Sequence, residues 1–214
     1  MDLKKNFELL RHEYMLSGLD EKDVDPDPYR QFDAWFKASL EAKLPLANSM
    51  SLATTNSAGR VSVRAVLMKD VDARGFTFYT NLESRKAREL HENPHAALLF
   101  NWDELERQVR VEGRVETVSD AESDQYYQSR PLGARLGAWT SPQSQVVSGR
   151  SDLDVRLAAI TSKYGDKPPR PPFWGGLRVL PDWFEFWQGR KNRLHDRLSY
   201  RMDSGRWVIE RLAP

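Results

Sequence analysis

The chain has 214 residues, 40% of them apolar, enough for one core of ordinary size or one domain with an added helical arm. Its 32 basic and 31 acidic residues leave a formal charge of +1, which excludes a general electrostatic grip on nucleic acid, so any cationic site must be local. The absence of cysteine excludes disulfides, thiol nucleophiles and cysteine-based metal sites, and it fits a reducing compartment.

Leu3, Phe7, Leu10 and Tyr14 recur at helical spacing and predict a short amphipathic helix over 3–16. That opening, "MDLKKNFELLRHEY", lacks the apolar stretch of a signal peptide. No apolar run approaches the roughly 20 residues that span a bilayer. The expectation is a soluble, cytoplasmic protein with no membrane partner. The acidic "DEKDVDPDP", broken by Pro26 and Pro28, reads as a connector, which divides the chain into an arm over 1–27 and a main domain over 28–214. Phe32, Trp35, Phe36 and Leu40 predict a stronger helix from Tyr29 to Leu44, stopped near Pro45.

The pattern then turns to strands: "MSLATTN", a turn at Ser57 to Gly59, "RVSVRAVLMKD", "GFTFYTN" and the apolar "HAALLFNW". "ERQVRVEGRVETV" alternates Val109, Val111, Gly113 and Val115 with charged residues, as a half-buried strand does. Further strands are expected at "LRVL", "WFEFWQ" and "RWVIERL". Three helices interrupt the series. One is capped by Ser84 and ends before Pro94; one opens on a Ser119–Glu122 capping box and runs to Ser129; one opens at Ser151 with Asp154 and carries Leu153, Leu157 and Ile160. Many short strands with few long crossovers point to a small barrel of mainly β, α+β class. No glycine-rich nucleotide loop is present.

Several clusters carry chemistry. In "YTNLESRKAREL", Arg85 and Lys86 fall in the first turn of a helix, where the backbone already carries partial positive charge. Either both extend into water, or a bound anion reverses the penalty. "RAVLMK" places Arg64 and Lys69 on opposite faces of a flat strand, so a shared ligand needs a twist or bulge between them. In "YYQSRP", Arg130 can complement a helix C-terminus or clamp a phosphate. "PPRPPFWGG" reads as a stiff loop or a polyproline ligand. His91 and His95 have zinc-helix spacing, but Pro94 breaks the helix between them, so no metal is expected. The densest cluster is "FWQGRKNRLHDR". On an extended segment Arg193, His195 and Arg197 share one face, opposite Leu194 and Asp196, with Trp187 near enough to floor a pocket. Cations beside an aromatic surface suit a flat ring bearing a phosphate.

Eight motifs in order, "RAVLMK", "FYTNLESRKA", "LERQVRVEG", "YYQSRP", "GAWTSPQS", "PPFWGG", "FWQG" leading to "RLHDR", and the terminal "IERLAP", resemble the pyridoxine/pyridoxamine 5′-phosphate oxidases. The resemblance covers nearly the whole chain. It implies a split β-barrel with flanking helices, a homodimer with FMN at the subunit interface, and oxidation of either vitamer phosphate at C4′ to pyridoxal 5′-phosphate. Dioxygen would reoxidise the flavin and give hydrogen peroxide. By resemblance the flavin residues are Arg64, Ala65, Val66, Leu67, Met68, Lys69, Tyr79, Thr80, Arg85, Lys86, Gln108, Gln143, Ser144, Trp187 and Arg197. Lys69, Tyr126 and Arg130 match substrate-phosphate positions, and Arg193 and His195, flanking Leu194, match the residues that hold substrate against the flavin. Arg11 and Tyr14 match an arm that closes over the site as a lid. Two positions depart from the family pattern: Ala134 stands where a serine commonly touches the substrate phosphate, and Arg190 stands where a second glycine is usual. Related alternatives are a split-barrel flavin oxidase with another substrate and a non-catalytic flavin or vitamer carrier.

Overall fold

The computed structural model describes residues 18–214. The helix expected over 3–16, with Arg11 and Tyr14, lies outside the described residues. The first long helix, α1 (Pro28–Glu41), starts where Asp27 accepts a hydrogen bond from the Tyr29 amide at 2.9 Å and Pro28 fills the first turn. It stops at Glu41, short of the expected Leu44. Lys43 turns left-handed at φ 56°, and the amides of Lys43 and Leu44 close back on the carbonyls of Leu40 and Ser39.

Most of the remaining chain is strand. In order come β1 (Ser49–Thr55), β2 (Val61–Leu67), β3 (Asp70–Asp72), β4 (Gly75–Asn81), α2 (Arg85–Glu92), β5 (His95–Trp102), β6 (Arg107–Thr117), α3 (Asp120–Ser129), α4 (Leu132–Thr140), α5 (Arg150–Tyr164), β7 (Trp174–Gln188), β8 (Asp196–Asp203) and β9 (Arg206–Arg211). The strands pair in the order β2-β1-β5-β6-β7-β4-β3, with β8 on β7 and β9 on β8. The pairings β4–β7, β7–β8 and β8–β9 are antiparallel. Asn56 makes the β1–β2 turn, its side-chain oxygen accepting the amides of Ala58 and Arg60 while Gly59 takes φ 75°.

By contact density the chain divides into two compact units. One holds the described residues up to Met50 with Leu98–Val111 and Asp182–Pro214; the other holds Ser51–Ala97 and Glu112–Pro181. The first has an aromatic core in which Phe32 meets Phe100 edge-on at 4.9 Å, Trp35 meets Phe186 at 5.3 Å, and Phe184 meets Trp207 at 5.4 Å. Phe76, Phe78 and Val179 are buried to 1% exposure or less in the second.

Three expectations change. "LRVL" and "WFEFWQ" are one strand, β7, running through Pro181. The partner on one side of β7 switches there: β4 pairs with it as far as Val179, and β8 takes over from Trp183. The proline therefore lies in a gap where no N–H is needed on that side. Secondly, α5 begins at Arg150 after Gly149, one residue ahead of the expected Ser151 start, and no side chain caps it. Thirdly, α4 and β8 form from segments with no strong period of their own, α4 being small-residue rich and β8 charged at its start.

Gly113 on β6 lies against the backbone of Leu180 and Pro181 so closely that a Cβ there would collide with the Leu180 carbonyl. Gly113→Ala should lower stability by about 1–3 kcal/mol, read as a drop in the urea midpoint. An unchanged midpoint would show that β7 can retreat from the added methyl group.

Candidate active site

In the second unit a cavity of about 800 Å³ opens beside β2, β4 and the N-terminus of α2, with α3 and α4 supplying the other wall. It collects Arg64, Lys69, Tyr79, Thr80, Arg85, Lys86, Tyr126, Arg130, Ala134, Gln143 and Ser144 from separate elements. Ala65, Val66 and Leu67 line it too, but Met68 does not; its side chain is buried at 5% exposure. The parity conflict between Arg64 and Lys69 is resolved by a break. β2 ends at Leu67, and the Lys69 amide then donates to the Thr77 carbonyl at 2.8 Å, so Lys69 follows a different path from the strand behind it.

The cations here are held in different ways. Arg64 donates to the Leu52 carbonyl at 3.0 Å, to Thr54 Oγ1 at 2.5 Å and to Ser62 Oγ, and pairs with Glu89 Oε2 at 3.2 Å. Arg85 reaches the same carboxylate through Nε, 2.8 Å from Glu89 Oε1. Lys86 is buried, and among the described residues its Nζ donates to neutral oxygens alone: Thr80 Oγ1 at 3.1 Å, Gln143 Oε1 at 3.3 Å and Ser84 Oγ at 3.4 Å. Burial, and then the charge of Arg64, push its ammonium below the ordinary lysine value. Ser84 is the residue before α2, but its side chain makes no capping bond, unlike the sequence expectation. A buried ammonium without a carboxylate partner beside an uncapped helix start is an arrangement that an anion completes.

A second cation faces an aromatic wall. Tyr79 and Tyr126 stack at 3.9 Å, and Trp174 lies nearly parallel to both. The Arg130 guanidinium sits 4.6 Å from the Trp174 ring centroid, and its Nη1 is buried without a hydrogen-bond partner among the described residues. A buried guanidinium N–H left unmade costs about 1–3 kcal/mol, so this atom too waits for an acceptor. The α3 helix that presents Tyr126 and Arg130 is fixed at its other end. The Ser119–Glu122 capping box forms as expected, Arg178 Nη2 donates to Glu122 Oε1 at 2.8 Å, and Arg170 pairs with Asp120 at 2.6 Å and Asp124 at 2.5 Å. Arg170 also donates to the Trp174 carbonyl, so "PPRPPFWGG" is a tied loop belonging to this wall.

The remaining expected residues belong to the first unit. Trp187 on β7 is the cross-strand partner of Arg197 on β8, and Gln108 is half-buried on β6. Glu185, at 2% exposure, takes Arg197 through both Nε (2.6 Å) and Nη2 (3.0 Å) and also accepts from Arg110 at 3.0 Å. The His195 ring lies 4.7 Å from Trp187, and its Nδ1 accepts the Arg190 amide at 3.1 Å. The neutral ring therefore carries its proton on Nε2. Burial first, and the Arg193 charge second, hold its pKa below 6.5. The single extended face expected for Arg193, His195 and Arg197 does not form. Lys191–Arg193 is a tight turn with Asn192 and Arg193 both left-handed, at φ 59° and 60°, and only Arg197 is on a strand. Two successive non-glycine residues in that region store about 1–2 kcal/mol each, which marks a turn held in place by its surroundings. Arg193 and Leu194 are exposed, and Arg190 pairs with Asp196 at 3.3 Å.

Sequence reasoning passed over Glu89, Thr54, Ser62 and Trp174. Glu89 had a signal, since it lies four residues after Arg85 on the same helix face. Thr54 and Ser62 had none, because their meeting depends on how β1 and β2 pair.

Burial alone would raise the Glu89 carboxyl, but hydrogen bonds from Ser62, Thr54 and Arg85 and the Arg85 charge outweigh it and hold the group at about 2, below the ordinary 4.5. Its contribution to stability is then complete above about pH 4.5 and is lost as pH falls toward 2. Urea midpoints should drop across that window and drop less steeply in Glu89→Gln. Glu122, also held at about 2, supplies part of the remaining slope. An identical pH slope in the variant would contradict the assignment.

Residues 36–164 match the family described as pyridoxamine 5′-phosphate oxidase, and residues 174–214 match the pyridoxine 5′-phosphate oxidase C-terminal dimerisation region. A pyridoxine/pyridoxamine 5′-phosphate oxidase of Cupriavidus metallidurans is 59% identical over 96% of this chain and 97% of its own length. One from Burkholderia ambifaria is 58% identical with the same coverage. Among solved structures, PhzG from Burkholderia lata, in complex with tetrahydrophenazine-1-carboxylic acid, superposes with TM-score 0.89 at 30% identity, covering 95% of this chain and all of that one. A pyridoxamine 5′-phosphate oxidase-related, FMN-binding protein from Nostoc punctiforme shares the fold, with TM-score 0.72 at 19% identity over 89% of this chain and all of its own. The mainly antiparallel strand order and these likenesses make the fold a split β-barrel with flanking helices, and the chain belongs to the pyridoxine/pyridoxamine 5′-phosphate oxidase family.

Proposed function

We propose that the protein is an FMN-dependent oxidase that converts pyridoxine 5′-phosphate or pyridoxamine 5′-phosphate to pyridoxal 5′-phosphate. Dioxygen is consumed and hydrogen peroxide released; with the amine, water also enters and ammonia leaves. The observation that carries this reading is one cavity holding two incomplete cation sites. Lys86 has only neutral acceptors beside Arg64 and Arg85, and Arg130 has an unpartnered Nη1 against Trp174. Two phosphates, one on the cofactor and one on the substrate, fit those two needs.

Arg64, Arg85 and Lys86 would hold the FMN phosphate, with Thr80, Gln143 and Ser144 completing that side of the cavity. FMN, when bound, supplies the two-electron acceptor for the C4′ carbon and returns the electrons to dioxygen. The chain's own groups then bind, orient and exclude water. Lys69, Tyr126 and Arg130 would grip the substrate phosphate. His195, neutral and protonated on Nε2, offers a hydrogen-bond donor, and Arg193 a positive charge on a strained turn. Arg197, oriented by Glu185 through Nε and Nη2 and by the Ala213 carbonyl through Nη1, keeps the second N–H of each terminal nitrogen for a ligand. The C-terminal match to a dimerisation region supports a homodimer, with the flavin at the subunit interface as in the family expectation. PhzG's likeness favours a second reading, an oxidase of the same barrel acting on a different substrate.

Mixing the FMN-loaded protein with pyridoxine 5′-phosphate without oxygen separates the two. The flavin's visible absorption should bleach and return on admitting air, with pyridoxal 5′-phosphate formed. Flavin that binds and stays oxidised would leave fold and cofactor but remove this substrate.

Ala134 lines the cavity with a methyl group where relatives by resemblance carry a serine hydroxyl. A hydrogen bond to a charged group contributes about 1.5–3 kcal/mol. Ala134→Ser should therefore lower KM for the phosphorylated substrate by about tenfold with kcat little changed. An unchanged KM would mean that a backbone amide or water already fills that role.

A further inference from the structure

We propose that Glu89 is a positioning residue for the flavin phosphate: it pre-orients Arg64 and Arg85 so that their remaining N–H groups converge on one dianion. The inference rests on the FMN reading above and extends it to a residue outside the expected ligand set. Glu89 is 5% exposed on α2, and both of its oxygens are engaged. Oε1 accepts from Arg85 Nε at 2.8 Å; Oε2 accepts from Thr54 Oγ1 at 2.5 Å, Ser62 Oγ at 2.6 Å and Arg64 Nη2 at 3.2 Å.

The choice of atoms matters. Glu89 takes the inner nitrogen of Arg85, and among the described residues neither terminal amino group of that arginine is bonded. Arg64 is braced on the opposite pattern, by its two terminal nitrogens, which leaves its Nε–H without a partner among the described residues. The carboxylate thus fixes two long side chains through different edges and spares the donors that a phosphate needs. Charge agrees with this. Arg64, Arg85 and protonated Lys86 against Glu89 leave a formal +2, matching a phosphate monoester, which carries about −1.5 to −2 at neutral pH.

Two effects of Glu89 oppose each other. Its negative charge weakens the field that attracts a phosphate, while its bonds remove the rotamer freedom that two free arginines would lose on binding. The low exposure of Glu89, with both oxygens engaged and Thr54 and Ser62 bracing Oε2, makes orientation the larger effect. Removing the charge alone would tighten phosphate binding, and removing the orientation would loosen it, so the sign of the change is diagnostic.

The test compares FMN with riboflavin, which lacks the phosphate, by flavin fluorescence titration of the wild-type apoprotein and of Glu89→Gln. Expected is a fall of about tenfold in the preference for FMN over riboflavin, with riboflavin affinity unchanged. An unchanged or increased preference overturns the proposal, as does an equal loss for both flavins, which is the mark of a purely structural role. A wild-type protein with no preference for FMN would instead remove the flavin-phosphate reading itself, and this inference with it. If Glu89→Gln does not fold, Ser62→Ala decides, because that hydroxyl joins Arg64 to Glu89. A smaller fall in the same preference supports the proposal, and none overturns it.

Discussion

A cation taken out of water must find its compensation in the protein or in a ligand, and the candidate site is arranged around that constraint. Each arginine expected at the flavin that comes from a strand is compensated by a buried glutamate. Glu89 serves Arg64 and Arg85, and Glu185 serves Arg197 and Arg110. Each carboxylate is shared between two guanidiniums, so each cluster keeps a net positive charge while its members are held still. Lys86 and Arg130, by contrast, have no carboxylate partner among the described residues, and both open on the cavity. Where the protein balances its own charge and where it does not is what distinguishes scaffold from site.

The scaffold spends further ion pairs on geometry. α3 is short, and at its far end it presents Tyr126 and Arg130 to the cavity. Its first turn is fastened by Arg170 and by the Arg178–Glu122 pair, both arginines being largely buried in side-chain terms. The carboxylate ends are open to solvent, Asp120 at 90% and Asp124 at 58% side-chain exposure, so these pairs contribute little net stability. Their effect is orientation: they leave a ten-residue helix one position relative to Trp174, against which Arg130 lies.

Much of the strand series was legible because alternation survives in β6, where Val109, Val111 and Val115 are buried and Arg114 and Glu116 exposed. The cavity residues on β2, β4 and α2 were legible as local runs of cations and tyrosines. Three features were not. Arg193, His195 and Arg197 alternate as a strand does, yet two left-handed residues put the first of them in a turn, and left-handed backbone at Asn192 and Arg193 leaves no periodic trace. The break after Leu67 that frees Lys69 depends on a backbone bond to Thr77 across the sheet. The spacing of Glu89 from Arg85 announces an ordinary helix-surface pair, but not its burial, which follows from Thr54 and Ser62 arriving from β1 and β2.

The continuity of β7 restricts how this chain can vary in length. One uninterrupted strand carries Trp174, the cross-strand glycines at 175 and 176, the proline at the partner switch, and then Glu185 and Trp187. Because side chains alternate strictly, gaining or losing one residue anywhere within it would turn every later side chain to the opposite face. Glu185 would then lose Arg197, and the partner switch would no longer coincide with the residue that has no N–H to give. Changes in length that a lineage of such proteins can keep are thereby pushed to turns outside this strand, such as the exposed β1–β2 turn at 56–60, where they shift none of its register.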